Sequence, residues 1–198
     1  LQKLELKFER QLLACESPIH KGDRRVWTTF RPRKGQRFYC RALSGESEYN
    51  LTVNCDLTVS CSCQDYDGSG QIGSLEKQTF EEIFFGDIAT RFRKMLFDGR
   101  FPIPICQNCS ELRKIDSPRL AIPDLQAPHQ GIMVENTVLC NLRCDACRRD
   151  QLLKTRKQVT MSLENIRKVA SIIQDHSIQL VYFFNLGEPF LAKNVLYQ

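Results

Sequence analysis

The sequence predicts an α/β chain in two parts: a small cysteine-rich α+β segment, then the start of a parallel βαβ layer. Three observations predict it. Short β-like runs and one well-capped helix alternate with clustered cysteines up to Cys109. Pro118, Pro123 and Pro128 then punctuate a stretch without helical or strand period. Beyond it the apolar pattern reads strand, helix, strand, the order of a parallel crossover unit.

Along the chain, residues 1–15 place Leu1, Leu4, Phe8 and Leu12 three or four apart, which predicts an amphipathic helix. Residues 16–35 are polar and basic, broken by Pro18, Gly22, Pro32 and Gly35, and 1–35 carries no domain assignment. The runs 36–42, 49–53 and 57–60 read as strands of a small meander, and 65–73 reads as a loop. Thr79 with Glu82 three residues on is a capping box that opens a helix. Ile83, Phe84, Ile88, Phe92, Met95 and Leu96 form its apolar stripe, and Gly99 is placed to end it. The boundaries predicted are 36–115 for the first domain, 116–130 for a linker and 131–198 for the second domain. In the second, 131–139 is strand-like and Ser162 caps a helix with Leu163, Ile166, Val169, Ala170 and Ile173 on one face. A near-continuous apolar strand follows at 178–184.

The chain has 198 residues, 42% of them apolar and 26% charged, and no apolar run approaches the roughly 18 residues that a membrane span requires. No membrane association is indicated. Lys3, Glu5, Lys7, Glu9 and Arg10 interrupt the segment where a secretory leader would be apolar, so no such leader is predicted. The net charge of +5 is modest and spread along the chain, so no nucleic-acid partner is indicated. Lys154, Arg156 and Lys157 read as a solvated basic surface. Ten cysteines without a leader point to a reducing, cytoplasmic compartment, where grouped thiols usually hold metal.

Two groups of cysteines carry the chemistry. Cys140, Cys144 and Cys147 form C-x3-C-x2-C directly after a predicted strand. Three thiolates so close on one loop can hold three irons of a cubane and leave the fourth iron open; the spacing alone also admits zinc with a distant fourth ligand, or unligated thiols. Upstream, Cys106-Gln-Asn-Cys109 is a C-x2-C knuckle, and Cys61-Ser-Cys63 is set to face it across the intervening helix. Here spacing alone slightly favours a zinc ribbon. Cys15 reads as an ordinary buried thiol.

Flanking residues extend both motifs. The stretch Val134-Glu-Asn-Thr-Val-Leu-Cys140-Asn-Leu-Arg-Cys144-Asp-Ala-Cys147, followed by Met161-Ser162 and then Phe184-Asn-Leu-Gly187-Glu188-Pro189-Phe190-Leu191, resembles the radical S-adenosylmethionine (SAM) enzymes in order and spacing. Two positions depart from that family's usual pattern: Ala146 stands where an aromatic residue is common, and Leu186 where many members have glycine. The resemblance implies an incomplete radical SAM (β/α) partial barrel. It implies that Cys140, Cys144 and Cys147 hold a SAM-binding 4Fe-4S cluster, with Ala146, Gly187, Glu188 and Pro189 against SAM. It also implies reductive cleavage of SAM to a 5′-deoxyadenosyl radical that abstracts hydrogen from a peptide, protein or small-molecule substrate, with a reducing electron donor as partner.

Upstream, Val59-Ser-Cys61-Ser-Cys63-Gln-Asp65, Ile72-Gly73-Ser-Leu75, Phe80-Glu-Glu-Ile83 and Phe92-Arg93 before Cys106-x2-Cys109 resemble the SPASM or twitch auxiliary-cluster domain. That resemblance implies an auxiliary 4Fe-4S cluster held by Cys40, one of Cys61 and Cys63, Cys106 and Cys109, with Cys55 as an alternative ligand. The two halves run in the reverse of the usual order, and only two barrel strands are present. The 198 residues are therefore expected to be a piece of a longer protein, weakly active or inactive alone. A zinc-knuckle adaptor module and an iron-sulfur electron-transfer protein are the alternatives.

Overall fold

β-Branched and aliphatic residues decide where the sheet forms. In the computed structural model, Val53, Val59, Ile72, Ile132 and Val134 are each at most 3% exposed and lie on strands of a single sheet. The residues described are 34–49, 51–115, 125–145, 147–193 and 195. All of them lie in the unit Arg31–Gln198. The helix expected over 1–15, Cys15 and Ala146 lie outside the described residues.

The elements run β1 (Arg37–Cys40), α1 (Arg41–Ser44), β2 (Thr52–Val53), β3 (Thr58–Ser60), β4 (Gln71–Ser74), α2 (Phe80–Phe84), α3 (Asp87–Phe97), a 3-10 turn (Pro104–Gln107), β5 (Leu112–Ile115), β6 (Gly131–Val134), α4 (Arg149–Thr155), α5 (Leu163–Asp175), β7 (Leu180–Tyr182) and a second 3-10 turn (Pro189–Leu191). β1 and β5 make a two-stranded antiparallel ribbon, with Cys40 opposite Leu112. The other strands form one five-stranded sheet in the order β4-β3-β2-β6-β7. Its β4-β3-β2 side is antiparallel, while β2 to β6 and β6 to β7 are parallel.

That order changes the expected domain division. β2, from before the Pro-containing stretch, pairs with β6, from after it: Thr52 lies opposite Met133 and Val53 opposite Val134. Val53, Val59, Phe80 and Ile83 share one hydrophobic cluster with Ile132, Val134, Met161, Ile166 and Val169. Described residues on either side of 116–130 thus share one sheet and one cluster. The chains approach so closely at this seam that a Cβ on Gly131 would sit 1.6 Å from the Glu48 carbonyl oxygen, which only glycine permits.

Helix ends follow local chemistry. Thr79 and Glu82 form the reciprocal capping box, the Thr79 hydroxyl accepting from the Glu82 N–H and the Glu82 carboxylate accepting from the Thr79 N–H at 2.8 Å. Such a cap contributes about 1 kcal/mol. The helix expected to run through to Gly99 is instead two, because the chain turns at Gly86 between α2 and α3; Ile88 consequently points outward at 39% exposure, while Phe92 and Leu96 stay buried. Ser162 caps α5 through the Asn165 N–H. α5 lies beside α2, with His176 edge-on to Phe80 at 5.0 Å and its Nε2 3.1 Å from Glu81 Oε1.

Other expectations shift in extent. The first β-like run ends at Cys40 and passes into α1, and part of the expected loop 65–73 pairs as β4 with β3. α4 is an additional helix. β7 spans three residues only, and Leu180 and Val181 on this sheet edge are about 40% exposed, so it is not the fully covered strand its composition suggests.

The basic triplet after α4 is not uniformly solvated either. The Arg156 side chain is 4% exposed and its Nε donates to Glu135 Oε1 at 2.8 Å, Glu135 being fully buried at the end of β6. Its Nη2 donates to Asn54 Oδ1 at 2.8 Å, and Asn185 Nδ2 donates to Glu135 Oε2 at 3.1 Å. The pair fastens the β2–β3 turn to β6. Lys157, by contrast, is an exposed partner of Glu76. Arg156→Met, which strands a buried carboxylate, is expected to cost about 3–5 kcal/mol in denaturant unfolding. Lys157→Ala should cost less than about 1 kcal/mol, and equal losses would contradict the buried-pair assignment.

Candidate iron-sulfur site

Four cysteines from three distant segments line one apolar cavity of about 10 Å3: Cys40, Cys61, Cys106 and Cys109. Leu43, Phe92 and Leu96 are among the apolar residues of its wall. The fold explains each placement. Cys40 ends β1, and the β1–β5 register brings the residues just before Leu112, including Cys109, alongside it. Pro104 opens the 3-10 turn that carries Cys106. Cys61 follows β3, and its N–H donates to the Gly70 carbonyl at 3.0 Å. That bond closes a loop centred on buried Asp65, whose Oδ1 accepts from the Gly70 N–H and whose Oδ2 accepts from the Ser60 hydroxyl, both at 2.8 Å.

Burial governs the electrostatics. Desolvation, with the neighbouring Cys109 next, pushes the Cys40 thiol up from 9.0 to about 12. Cys61 is raised well above its ordinary value by burial first and then by Cys40 and Cys106. Burial raises Cys106 to about 11 and also raises Cys109. Against this, the backbone N–H groups of Leu43 and Ala42 near Cys40, and of Glu111 and Leu112 near Cys109, act to lower those two thiols. The arrangement is a set of thiols that repel one another when ionised and that nearby amides compensate only in part. Cations supply what is missing.

Four cysteines are a donor set that both a zinc ion and a four-iron cluster take. A zinc tetrahedron with Zn–S of about 2.3 Å needs its sulfurs about 3.8 Å apart. A cubane takes one cysteine at each iron corner, and the four cysteines around this apolar cavity supply that number.

The other cysteines are placed differently. Cys63 neighbours Cys109, which helps raise its thiol to about 11 after burial itself, yet it is not on the cavity wall. Cys55 is fully buried elsewhere, its Sγ donating to the Gln158 carbonyl at 3.0 Å beside Glu135. No disulfide joins any of the described cysteines.

Cys140, Cys144 and Cys147 lie on the loop beyond the carboxyl end of β6, Cys140 half-buried and Cys144 and Cys147 exposed. The Cys147 N–H donates to the Cys144 carbonyl at 3.0 Å, and an Arg149 Nη1 holds the Cys140 carbonyl. Cys140 alone of the three lines an open cleft, with Val138, Leu139, Asn141, Arg149, Leu153 and Leu191. Gly187, Glu188 and Pro189 lie against this segment: the Glu188 N–H donates to the Leu139 carbonyl at 2.7 Å and Asn136 Nδ2 to the Pro189 carbonyl at 3.2 Å. A Cβ on Gly187 would fall 2.0 Å from the Thr137 carbonyl oxygen, so the glycine allows the two backbones to touch. Burial raises the Tyr66 phenol first, and the Cys147 and Cys63 thiols raise it further.

Arg93 and Arg156 have structural roles that sequence alone does not give. Both show as charges in the sequence, but the partners that define them are far away along the chain. Arg93 Nε donates to the Leu43 carbonyl at 2.7 Å, and its guanidinium lies over the Phe84 ring at 4.6 Å.

Residues 40–110 match the SPASM family, an iron-sulfur cluster-binding domain. No curated protein and no solved structure matches the chain. Among the described residues no helix is long and apolar enough to cross a membrane.

The raised thiols fix a pH dependence for the iron-free protein. Their folded pKa lies above the unfolded one, so the stability they carry is complete below about pH 9 and falls as the pH climbs toward the folded values of 11 to 12. The thermal midpoint of iron-free protein should therefore drop between pH 9 and 11, with a shallower drop in Cys40→Ala; parallel profiles for the two proteins would contradict it.

Proposed function

We propose that this chain is part of a radical SAM enzyme in which Cys40, Cys61, Cys106 and Cys109 hold an auxiliary 4Fe-4S cluster and Cys140, Cys144 and Cys147 hold the SAM-binding one. The observation that carries the proposal is the gathering of four thiols into one apolar cavity inside the segment that matches an iron-sulfur domain. The triad loop and the Gly187-Glu188-Pro189 loop support the rest, since they meet at the carboxyl ends of parallel strands, where α/β layers collect ligands. In this reading β6, α5 and β7 begin a radical SAM partial barrel.

When bound at the triad, such a cluster supplies one-electron reductive cleavage of the SAM sulfonium, giving methionine and a 5′-deoxyadenosyl radical for hydrogen abstraction. The chain's own residues prepare the place. Arg149 fixes the Cys140 carbonyl and so the start of the loop. The Leu139 carbonyl and the Thr137 backbone hold the Gly187-Glu188 turn within reach of it. Ala146, Gly187, Glu188 and Pro189 would line the SAM side, and Leu139, Leu153 and Leu191 would exclude water from it. The auxiliary site differs in having a fourth thiol, so its cluster would be closed to substrate and suited to carrying electrons. The substrate class is a peptide, protein or small molecule, the electrons come from a reducing donor, and the compartment is the reducing cytoplasm.

Anaerobically reconstituted protein should be brown, and SAM should change the paramagnetic spectrum of one of two reduced clusters. Cys144→Ala should remove the SAM-responsive signal and spare the other, while Cys106→Ala or Cys109→Ala should do the reverse. Colourless protein with stoichiometric zinc would overturn the proposal in favour of an adaptor module. Clusters indifferent to SAM would leave electron transfer as the activity.

A further inference from the structure

We infer that Arg93 is the counter-charge of the four-cysteine site, raising the reduction potential and strengthening the retention of the cluster proposed there; the inference rests on that reading of the site. Arg93 sits on α3 next to Phe92, and α3 also sends Leu96 into the cavity wall. Its Nε and Nη2 donate to the carbonyls of Leu43 and Phe84, and its plane covers the Phe84 ring. None of these partners is anionic. Among the described residues its Nη1 is buried without a hydrogen-bond partner, and no carboxylate pairs with it. Leu43, whose carbonyl it holds, follows Cys40 by three residues and lines the same cavity.

A half-buried cation with no carboxylate partner and one nitrogen shut off from water without a hydrogen bond is costly to keep. Burial accordingly lowers Arg93 to about 10, and the opposing influence is the negative charge of Cys40. A cubane on four thiolates carries net negative charge that increases by one electron on reduction, and a fixed cation beside one ligand favours the reduced form. The two donated hydrogen bonds also give Arg93 a structural role, since they hold carbonyls at the C-terminal ends of α1 and α2. The test must read charge and not only integrity.

The test is a potentiometric titration of the full chain in a Cys144→Ala background, followed by paramagnetic resonance with dithionite as reductant. Arg93→Met keeps an unbranched apolar stem on Phe84 and removes the charge; its midpoint should move to more negative potential, and chelation by EDTA should strip its iron several-fold faster. Arg93→Lys keeps the charge, and its midpoint should stay with the parent. If Arg93→Met does not accumulate as folded protein, Arg93→Gln carries the same expectation. A parent cluster whose potential is the same in the neutral variant overturns the inference alone, as does an equal shift in the lysine and neutral variants. A parent that assembles no cluster on the four cysteines overturns the underlying reading and the inference together.

Discussion

Four thiols gathered around one apolar cavity, Cys61 buried and the other three half-buried, are the constraint on which the first half of this molecule is arranged. They come from the end of β1, the loop after β3, the 3-10 turn and the residues just after it, and Cys40, Cys106 and Cys109 all raise the cost of ionising Cys61. A cavity of that composition is unfavourable as a site for bare thiolates and favourable as a site for a positively charged iron-sulfide core. Binding of such a group would add to the stability of this segment, as in other small sites whose ligands converge in the folded chain. The amides near Cys40 and Cys109 and the guanidinium of Arg93 act in the same direction.

The second constraint is the parallel pairing of β2 with β6. It makes one sheet from segments on both sides of a proline-punctuated stretch, and the buried Arg156–Glu135 pair locks the seam. Because β6 runs directly into the cysteine triad, any displacement of the first half acts on the origin of that loop. Tyr66 lies within the electrostatic reach of Cys147 of the triad and of Cys63, which neighbours Cys109.

What the sequence made legible was local. The Thr79 capping box, the Ser162 cap and the left-handed Gly99 that ends α3 depend on residues within a few positions of one another, and they stand where the pattern puts them. β4 escaped because Gln71-Ile-Gly-Ser74 has no strand signal of its own and is extended by its partner β3. The break at Gly86 escaped because the apolar spacing runs on across it. At the candidate site, the C-x2-C knuckle and the triad were visible as spacings, but the choice among Cys55, Cys61 and Cys63 depends on where the chain turns after β3. In the fold, Cys61 faces the cavity, Cys63 sits beside it and Cys55 turns toward Gln158. Arg156 reads as a surface charge until the fold supplies a carboxylate from 21 positions away along the chain.

The central claim is that Cys40, Cys61, Cys106 and Cys109 bind an iron-sulfur cluster independently of the triad. Iron and acid-labile sulfide analysis of anaerobically reconstituted chain with Cys140, Cys144 and Cys147 all replaced by alanine tests it most directly. The account predicts that the protein retains iron and sulfide in equal amounts, at the content of one four-iron cluster per chain, and loses both on further replacement of Cys61 but not of Cys55. Retention of zinc in place of iron, or loss of the cluster with Cys55 and not with Cys61, would contradict it.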